Sequence, residues 1–394
     1  MSTRSVTRLR RGLAFCYFAL LGLAVLTPQP VHHSTTFADN GPFVIGWLAD
    51  AIRNVLLFAP LGAFVALERG ALRHAIALAG AVAAGIELLQ TVIPGRFSSP
   101  IDVVSNVLGA ALGVLIVRWA PMVRRPAPPL AQRLVLASSL ASATLFLISS
   151  ALLTPVVPEG VYFGGFTPDL RHLEHYSGEV IDARLDALPI PAGGPAPADA
   201  PFPSVLRGRP LLELSFRPGV PPGSLAPLVT LHDAEEREIL LVGLDGDTLV
   251  ARRLMRAAGA GLENPTQRWP AVIPPVEGRR APDELHRIGL RLDGPIWGAR
   301  FDGRALDERI WTAGRGWALV FPIGWLPPAA ALPLDVVWMA LLGTAAAYHA
   351  GGRRRSRRLL LIPIVALAAT PLVGSVAPAP QQGFVRGVGD DGID

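Results

Sequence analysis

The chain has 394 residues, 51% of them apolar and 17% charged, and its net charge of +5 rests on arginine alone because lysine is absent. A mean hydropathy of +0.40 over that length excludes one soluble domain and points to a multi-spanning membrane protein. The arginines stand in short runs beside apolar stretches, a mark of topology; nucleic-acid binding would want a basic face on a soluble fold, so no nucleic-acid partner is expected.

Apolar runs able to cross about 30 Å of hydrocarbon, roughly 17 to 25 residues, lie near 12–28, 48–67, 74–93, 102–120, 134–153, 333–350 and 359–376. About seven transmembrane helices are therefore expected. Arg8, Arg10 and Arg11 precede the first and hold the amino terminus in the cytoplasm. Alternation then makes 68–73, 121–133 and 351–358 cytoplasmic, all with arginines, and leaves 29–47 and 94–101 outside, with Arg96 as their single arginine. A competing reading takes 1–38 as a cleaved signal peptide with its core at 13–26; it leaves the later topology unchanged. Arg10-Arg11 also resembles a twin-arginine signal. The lone cysteine, Cys16, lies in the first run, which excludes an intrachain disulfide and a Cys-based metal site. No cofactor is expected.

Between the fifth and sixth runs the composition changes to charged residues, Pro/Gly punctuation and alternating patterns. Strand-like stretches at 211–216, 228–232, 238–242, 248–252, 287–292 and 298–301, with Asp245-Gly246 and Asp302-Gly303 as hairpin turns, predict an all-β sandwich. The Pro/Ala-rich stretch 189–203 reads as a long irregular loop or flexible arm. The expected plan is an α-helical multi-spanning membrane protein with an inserted extracytoplasmic all-β sandwich. Its parts are a four-helix membrane domain 1–120, a cytoplasmic linker 121–133, a fifth helix 134–153, the sandwich 154–328, two further helices in 333–376 and an extracytoplasmic tail 377–394.

Within 54–113 the apolar runs carry polar residues near one end: Asn54, Glu87, Gln90, Asp102 and Asn106, with Arg96 in the turn between. Intramembrane polar groups are costly without partners, so they form a candidate ligand-binding site. The expected topology puts all six at or near the outer leaflet. Glu87 and Gln90 are three apart, and Asp102 and Asn106 four apart, so each pair shares a helix face. Pro94-Gly95 turns the chain, and Arg96 would offset a buried carboxylate. The bland alternative is helix-to-helix adhesion, which the small-xxx-small pattern Gly109 to Gly113 also serves. No H-E-x-x-H, G-x-S-x-G or P-loop is present, so any catalytic residues are unknown.

The series N-V-L-L-F-A-P-L-G (54–62), E-L-L-Q (87–90), P-G-R (94–96) and D-V-V-S-N-V-L-G-A-A-L-G (102–113) resembles the VanZ-like family of bacterial membrane proteins over about 13–120. That resemblance implies an envelope membrane protein; the namesake is associated with low-level teicoplanin resistance. The family's polar positions fall on Asn54, Glu87, Gln90, Arg96, Asp102 and Asn106. An Asp-Lys-x-x-His pattern common in relatives is missing, since Asp39-Asn40 has no following Lys or His.

The strand rhythm of the outer domain is similar to laminin-G or concanavalin-like sandwiches, which implies glycan or protein binding. Trp269, Trp297, Trp311 and Trp317 read either as sugar-stacking platforms or as core. Asp233, Asp245, Asp247 and Asp302 read as calcium ligands or as turn residues, and His172 with His175 as a metal pair or as solvated histidines. Expected partners are membrane lipid and a lipid-linked cell-wall precursor, a glycopeptide or an envelope glycan. The alternatives are a membrane-anchored scaffold that binds glycan or a partner, and an envelope-lipid enzyme.

Overall fold

The structure, a computed structural model, describes residues 12, 14–19, 21–23, 46–69, 72–93, 99–170, 173–270, 272, 284–321, 330–350 and 361–364. Five long apolar helices stand out: α1 Trp47–Arg69, α2 Leu72–Gln90, α3 Pro100–Arg124, α4 Pro128–Leu152 and α5 Ala331–Ala350. At 1.5 Å per residue each is roughly 28 to 38 Å long, enough to cross a bilayer, and each is apolar enough to do so. They match five of the seven expected runs, and the protein is a membrane protein. Of the other two, helical pieces lie in Ala14–Leu23 and at 361–364; the remainder falls outside the described residues.

The faces of α3 show the reason for this packing. Val104, Leu108, Leu112, Ile116 and Trp119 form an exposed apolar stripe, whereas Ser105, Asn106, Gly109, Ala110 and Gly113 are buried. Lipid tails are as apolar as leucine, so helices in a bilayer associate through small and polar residues and leave large apolar ones outside. A Cβ placed on Gly62 would overlap the Ala110 carbonyl, one on Gly109 the Val55 carbonyl, and one on Gly113 the Ala59 carbonyl. The backbones of α1 and α3 are thus in direct contact.

A second contact joins α4 and α5. The Ser142 hydroxyl donates to the Leu342 carbonyl at 2.7 Å, and the Tyr348 hydroxyl donates to the Arg124 carbonyl at 2.9 Å. The end of α5 therefore lies beside the end of α3. Its start lies beneath the β region, where Asp335 accepts from Trp317 Nε1 at 2.8 Å and Arg315 Nε at 3.2 Å. A carboxylate in an apolar helix is so provided with donors from outside the helix.

The residues between α4 and α5 form two antiparallel sheets. One has the order β4 (Gly193–Pro195), β1 (Tyr162–Phe166), β6 (Ala226–Asp233), β7 (Glu238–Asp245), β8 (Thr248–Arg253), β9 (Thr266–Trp269). The other runs β12 (Arg304–Ala305), β11 (Ile296–Phe301), β10 (His286–Asp293), β5 (Leu211–Arg217), β2 (Glu179–Leu185), β3 (Leu188–Pro189), and β13 (Arg309–Ile310) also pairs with β11. Alternate residues of both sheets, among them Leu212, Leu214, Phe216, Leu249, Ala251, Leu290 and Leu292, enter one shared apolar core. Both expected turns are present: Gly246 joins β7 to β8 at φ +62°, and Asp302-Gly303 join β11 to β12 at φ +48° and +79°, values that Gly adopts freely and Asp tolerates.

One expectation changes here, and the alternatives left open for the tryptophans and aspartates are decided. The 189–203 stretch holds β4 and leads into a short helix, Phe202–Arg207. Ile190, Ala196, Phe202 and Leu206 are buried, Tyr162 stacks on Phe202 at 5.6 Å, and buried Arg253 donates to the Leu206 carbonyl, so spaced apolar anchors fix a proline-rich segment. Trp269 and Trp297 are 1% and 0% exposed and Trp311 is buried, while half-buried Trp317 is committed to Asp335. These four are packing residues in this state, with no open stacking face on the first three.

The aspartates are turn and pairing residues. Asp233 accepts from Arg237 Nε at 2.6 Å and Arg237 N at 2.9 Å, Asp245 pairs with Arg268, Asp302 is bonded to His286 Nδ1 at 2.7 Å, and Asp247 adjoins Thr248. Among the described residues no group of three or more His, Cys, Asp or Glu could hold a metal; His175 is exposed and His172 lies outside them.

Burial holds the Glu238 carboxyl above its ordinary range, and Arg252, 3.7 Å away, only partly offsets this. A carboxyl that holds its proton more tightly when folded costs stability as pH rises from its unfolded pKa through the raised folded one. Glu238→Gln is therefore expected to raise the melting temperature at neutral pH and to leave it unchanged below about pH 4, where both forms are neutral. Parallel melting curves from pH 4 to 8 check this; equal shifts at every pH contradict it.

Candidate functional site

The site begins where α1 meets the β region. Leu48 N and Ala49 N donate to the Gly261 carbonyl at 2.8 and 3.1 Å, and Ala49 is buried in the β core. Gly261 has φ +72°, and a Cβ there would strike the Trp47 ring, so both conformation and space require glycine. One turn along, Arg53 Nη1 donates to Glu263 Oε1 at 2.9 Å and to the Val320 carbonyl at 2.7 Å, and Arg53 also pairs with Asp50. Burial pushes the Glu263 carboxyl up, against the pull of Arg53.

Asn54, the next residue, faces the bundle. Its Nδ2 donates to Asp102 Oδ1 at 2.9 Å, joining α1 to α3. Ser99 caps α3, its hydroxyl accepting from Ile101 N at 3.2 Å, with Pro100 in the first turn. Pro lacks the N–H that a helix start leaves unpaired, and a carboxylate in the first turn complements the helix dipole; Asp102 occupies that place. Ser99 N in turn donates to Glu87 Oε2 at 2.8 Å, so the last turns of α2 hold the cap of α3. Three helices are thus tied together at the end facing the β region.

One turn deeper, Asn106 is 3% exposed and its Oδ1 has no hydrogen-bond partner among the described residues. Gln90 is buried in the last turn of α2. The structure therefore brings Asn54, Glu87 and Asp102 together through Ser99, with Asn106 below them. Arg96 lies outside the described residues, and so does the expected offset of a carboxylate by it.

Sequence reasoning missed Arg53, Asp50, Ser99 and Glu263. Arg53 lies inside an expected span beside Asn54, and a charge there is itself a signal. Ser99-Pro100 is a legible helix start. Glu263 has no sequence signal, because 210 residues separate it from Arg53. Chemically the site is rich in acceptors: two carboxylates close enough for their charges to interact and a buried amide oxygen. It suits a ligand that presents hydroxyls, amides or an ammonium group.

Apolar helices bound at one end by polar contacts and capped there by two β-sheets define a membrane protein with a substantial extramembrane part. The family model described as VanZ/LLP1 matches residues 12–121, so the amino-terminal membrane part of this chain is similar to the VanZ-like family. No curated protein and no solved structure matches the chain, and the likeness of the β region to laminin-G or concanavalin-like domains draws nothing from these comparisons.

Proposed function

We propose that the chain is a bacterial cytoplasmic (inner) membrane protein of the cell envelope, with seven spans, a cytoplasmic amino terminus and its two sheets packed as an extracytoplasmic sandwich. On this reading Asn54, Glu87, Gln90, Asp102 and Asn106, with Arg96, form a polar site in the outer leaflet. It takes the donor-rich head of a membrane amphiphile, such as a lipid-linked cell-wall precursor, or a glycopeptide, and so contributes to teicoplanin-type resistance or envelope homeostasis. The observation that carries this is the buried Asn106 acceptor, without a partner among the described residues, below the joined Asn54, Glu87 and Asp102. Adhesion alone accounts for the last three; it leaves unexplained a buried acceptor with no partner among the described residues. The buried tryptophans weaken the alternative of a sugar-stacking scaffold; an envelope-lipid enzyme is the other alternative.

Orientation is tested by reporter fusions. Alkaline phosphatase joined at 250 is expected to be active and at about 355 inactive; the reverse pattern overturns the siting. The site is tested by Glu87→Ala and Asp102→Ala in cells that depend on the chain for teicoplanin tolerance. Susceptibility is expected to rise at wild-type protein abundance, and unchanged susceptibility at that abundance would sink the polar-site reading.

A further inference from the structure

The amino end of α1 joins two sets of charges. Towards the β region, the Arg53 guanidinium is shared by Glu263, the Val320 carbonyl and Asp50. Towards the bundle, one residue further along the same helix, Asn54 is bonded to Asp102, which stands close enough to Glu87 for their charges to interact. Asp50 links the two sets, because its charge acts on both Glu263 and Asp102.

Charge is unevenly shared along this row. Of its four carboxylates, Glu263 and Asp50 pair with Arg53, whereas Asp102 and Glu87 form no ion pair among the described residues. The described charges that act on Asp102 are those of Glu87 and Asp50, all of one sign. Carboxylates gathered away from bulk water repel one another, so a cation released beside them is drawn in. Arg53 is the neighbouring cation, and its side chain is partly exposed at the junction, where a long flexible chain can exchange partners. In the docked state Glu263 and Val320 hold it on the far side.

We infer that Arg53 is a two-position switch: with the β region docked its guanidinium is held on Glu263 and Val320, and when the β region lifts from α1 it turns to Asp102 and Glu87 and covers them. Each position has its own set of contacts, which is what two interconverting states require. The docked β region thereby keeps the polar site uncovered. By reciprocity, a ligand that occupies Glu87 and Asp102 favours docking. The exchange of partners rests on the charges above, and its effect on a ligand rests on the polar-site reading of Glu87.

Hydrogen exchange of the full chain in nanodiscs, with no ligand added, tests the switch. The Leu48, Ala49 and Glu263 amides, bonded across the junction, report docking, and amides of β7 report global unfolding. Asp102→Asn keeps the acceptor for Asn54 and removes the charge that draws Arg53 when the β region lifts. Exchange at the three amides is therefore expected to slow, relative to β7, about fivefold or more, the low end of couplings between sites. In an Arg53→Gln background the same change is expected to have no effect. Glu87→Gln, which leaves the Asn54 bond in place, is expected to act in the same direction and serves if Asp102→Asn does not accumulate. A purely adhesive Asp102 gives unchanged or faster exchange; that outcome, or equal slowing with Arg53 replaced, overturns the inference. Because no ligand enters the measurement, such a failure is separate from failure of the polar-site reading in the susceptibility assay.

Discussion

Gly113→Leu is expected to destabilise the membrane part by at least about 3 kcal/mol, the upper end of the over-packing range, and to keep folded protein from accumulating. A Cβ at 113 would overlap the Ala59 carbonyl and reach to 2.7 Å from Ala63 N. Both are backbone atoms, so no rotamer change relieves the clash and the two helices must separate. The separation also parts Asn54 from Asp102, whose 2.9 Å hydrogen bond spans the same helix pair, so the candidate site is lost with the packing. Gly85→Leu is the control. A Cβ there meets nothing within 4 Å, and exposed substitutions of that kind stay within about 0.5 kcal/mol. Membrane abundance and melting temperature of the two variants check the prediction; similar behaviour would show that α1 and α3 are not in backbone contact.

Arg53→Ala is expected to loosen the β region from α1 by about 2–4 kcal/mol, given ~1.5–3 kcal/mol for each hydrogen bond to a charged group and a discount for water reaching a partly exposed pair. The Arg53 and Glu263 side chains are 26% and 22% exposed, so the full penalty of a stranded buried charge does not apply. The guanidinium bonds Glu263 and the Val320 carbonyl together and so holds the loop after β8 and the end of the 3₁₀ segment Ala313–Leu319 against one helix. Hydrogen exchange is expected to speed up at Leu48, Ala49 and Glu263, whose amides bond to Gly261 and Leu319 across this junction. Combining Arg53→Ala with Glu263→Ala is expected to cost about 1–3 kcal/mol less than the sum of the single changes, as for contacting residues. Unchanged exchange in Arg53→Ala would leave the docking to apolar contact alone.

Much of the membrane part was legible because its signals are local. Each long apolar helix follows from a run of apolar residues, and the polar residues of 54–113 are conspicuous through the cost of placing them there. The strands at 211–216 and 287–292 were legible for a similar reason: alternation of apolar and polar residues encodes a buried and an exposed face. Strands β1 and β2 were missed. Y-F-G-G-F has too short a pattern to distinguish, and E-V-I-D-A-R-L has its register shifted by a bulge between Val180 and Asp182. The 189–203 arm was misread because composition weighs its prolines and cannot weigh a partner for Ile190 or Phe202.

The sequence by itself determined that this is a membrane protein, which residues form the helices α1 to α5, long and apolar enough to cross a bilayer, and that a β region interrupts them, since hydropathy and period depend on neighbours in the chain. It also determined the VanZ-like stretch and its polar residues. Tertiary structure alone decided how those residues are used: Glu87 holds the cap of α3 through Ser99, Asp102 takes Asn54, the Asn106 oxygen is buried with no partner among the described residues, and Arg53 is drawn to Glu263. Partnership between distant residues depends on the distance between helix axes and on the domain docked above them. Gly62, Gly109 and Gly113 set that distance by bringing two backbones into contact, and only in the folded chain can a missing side chain act in this way.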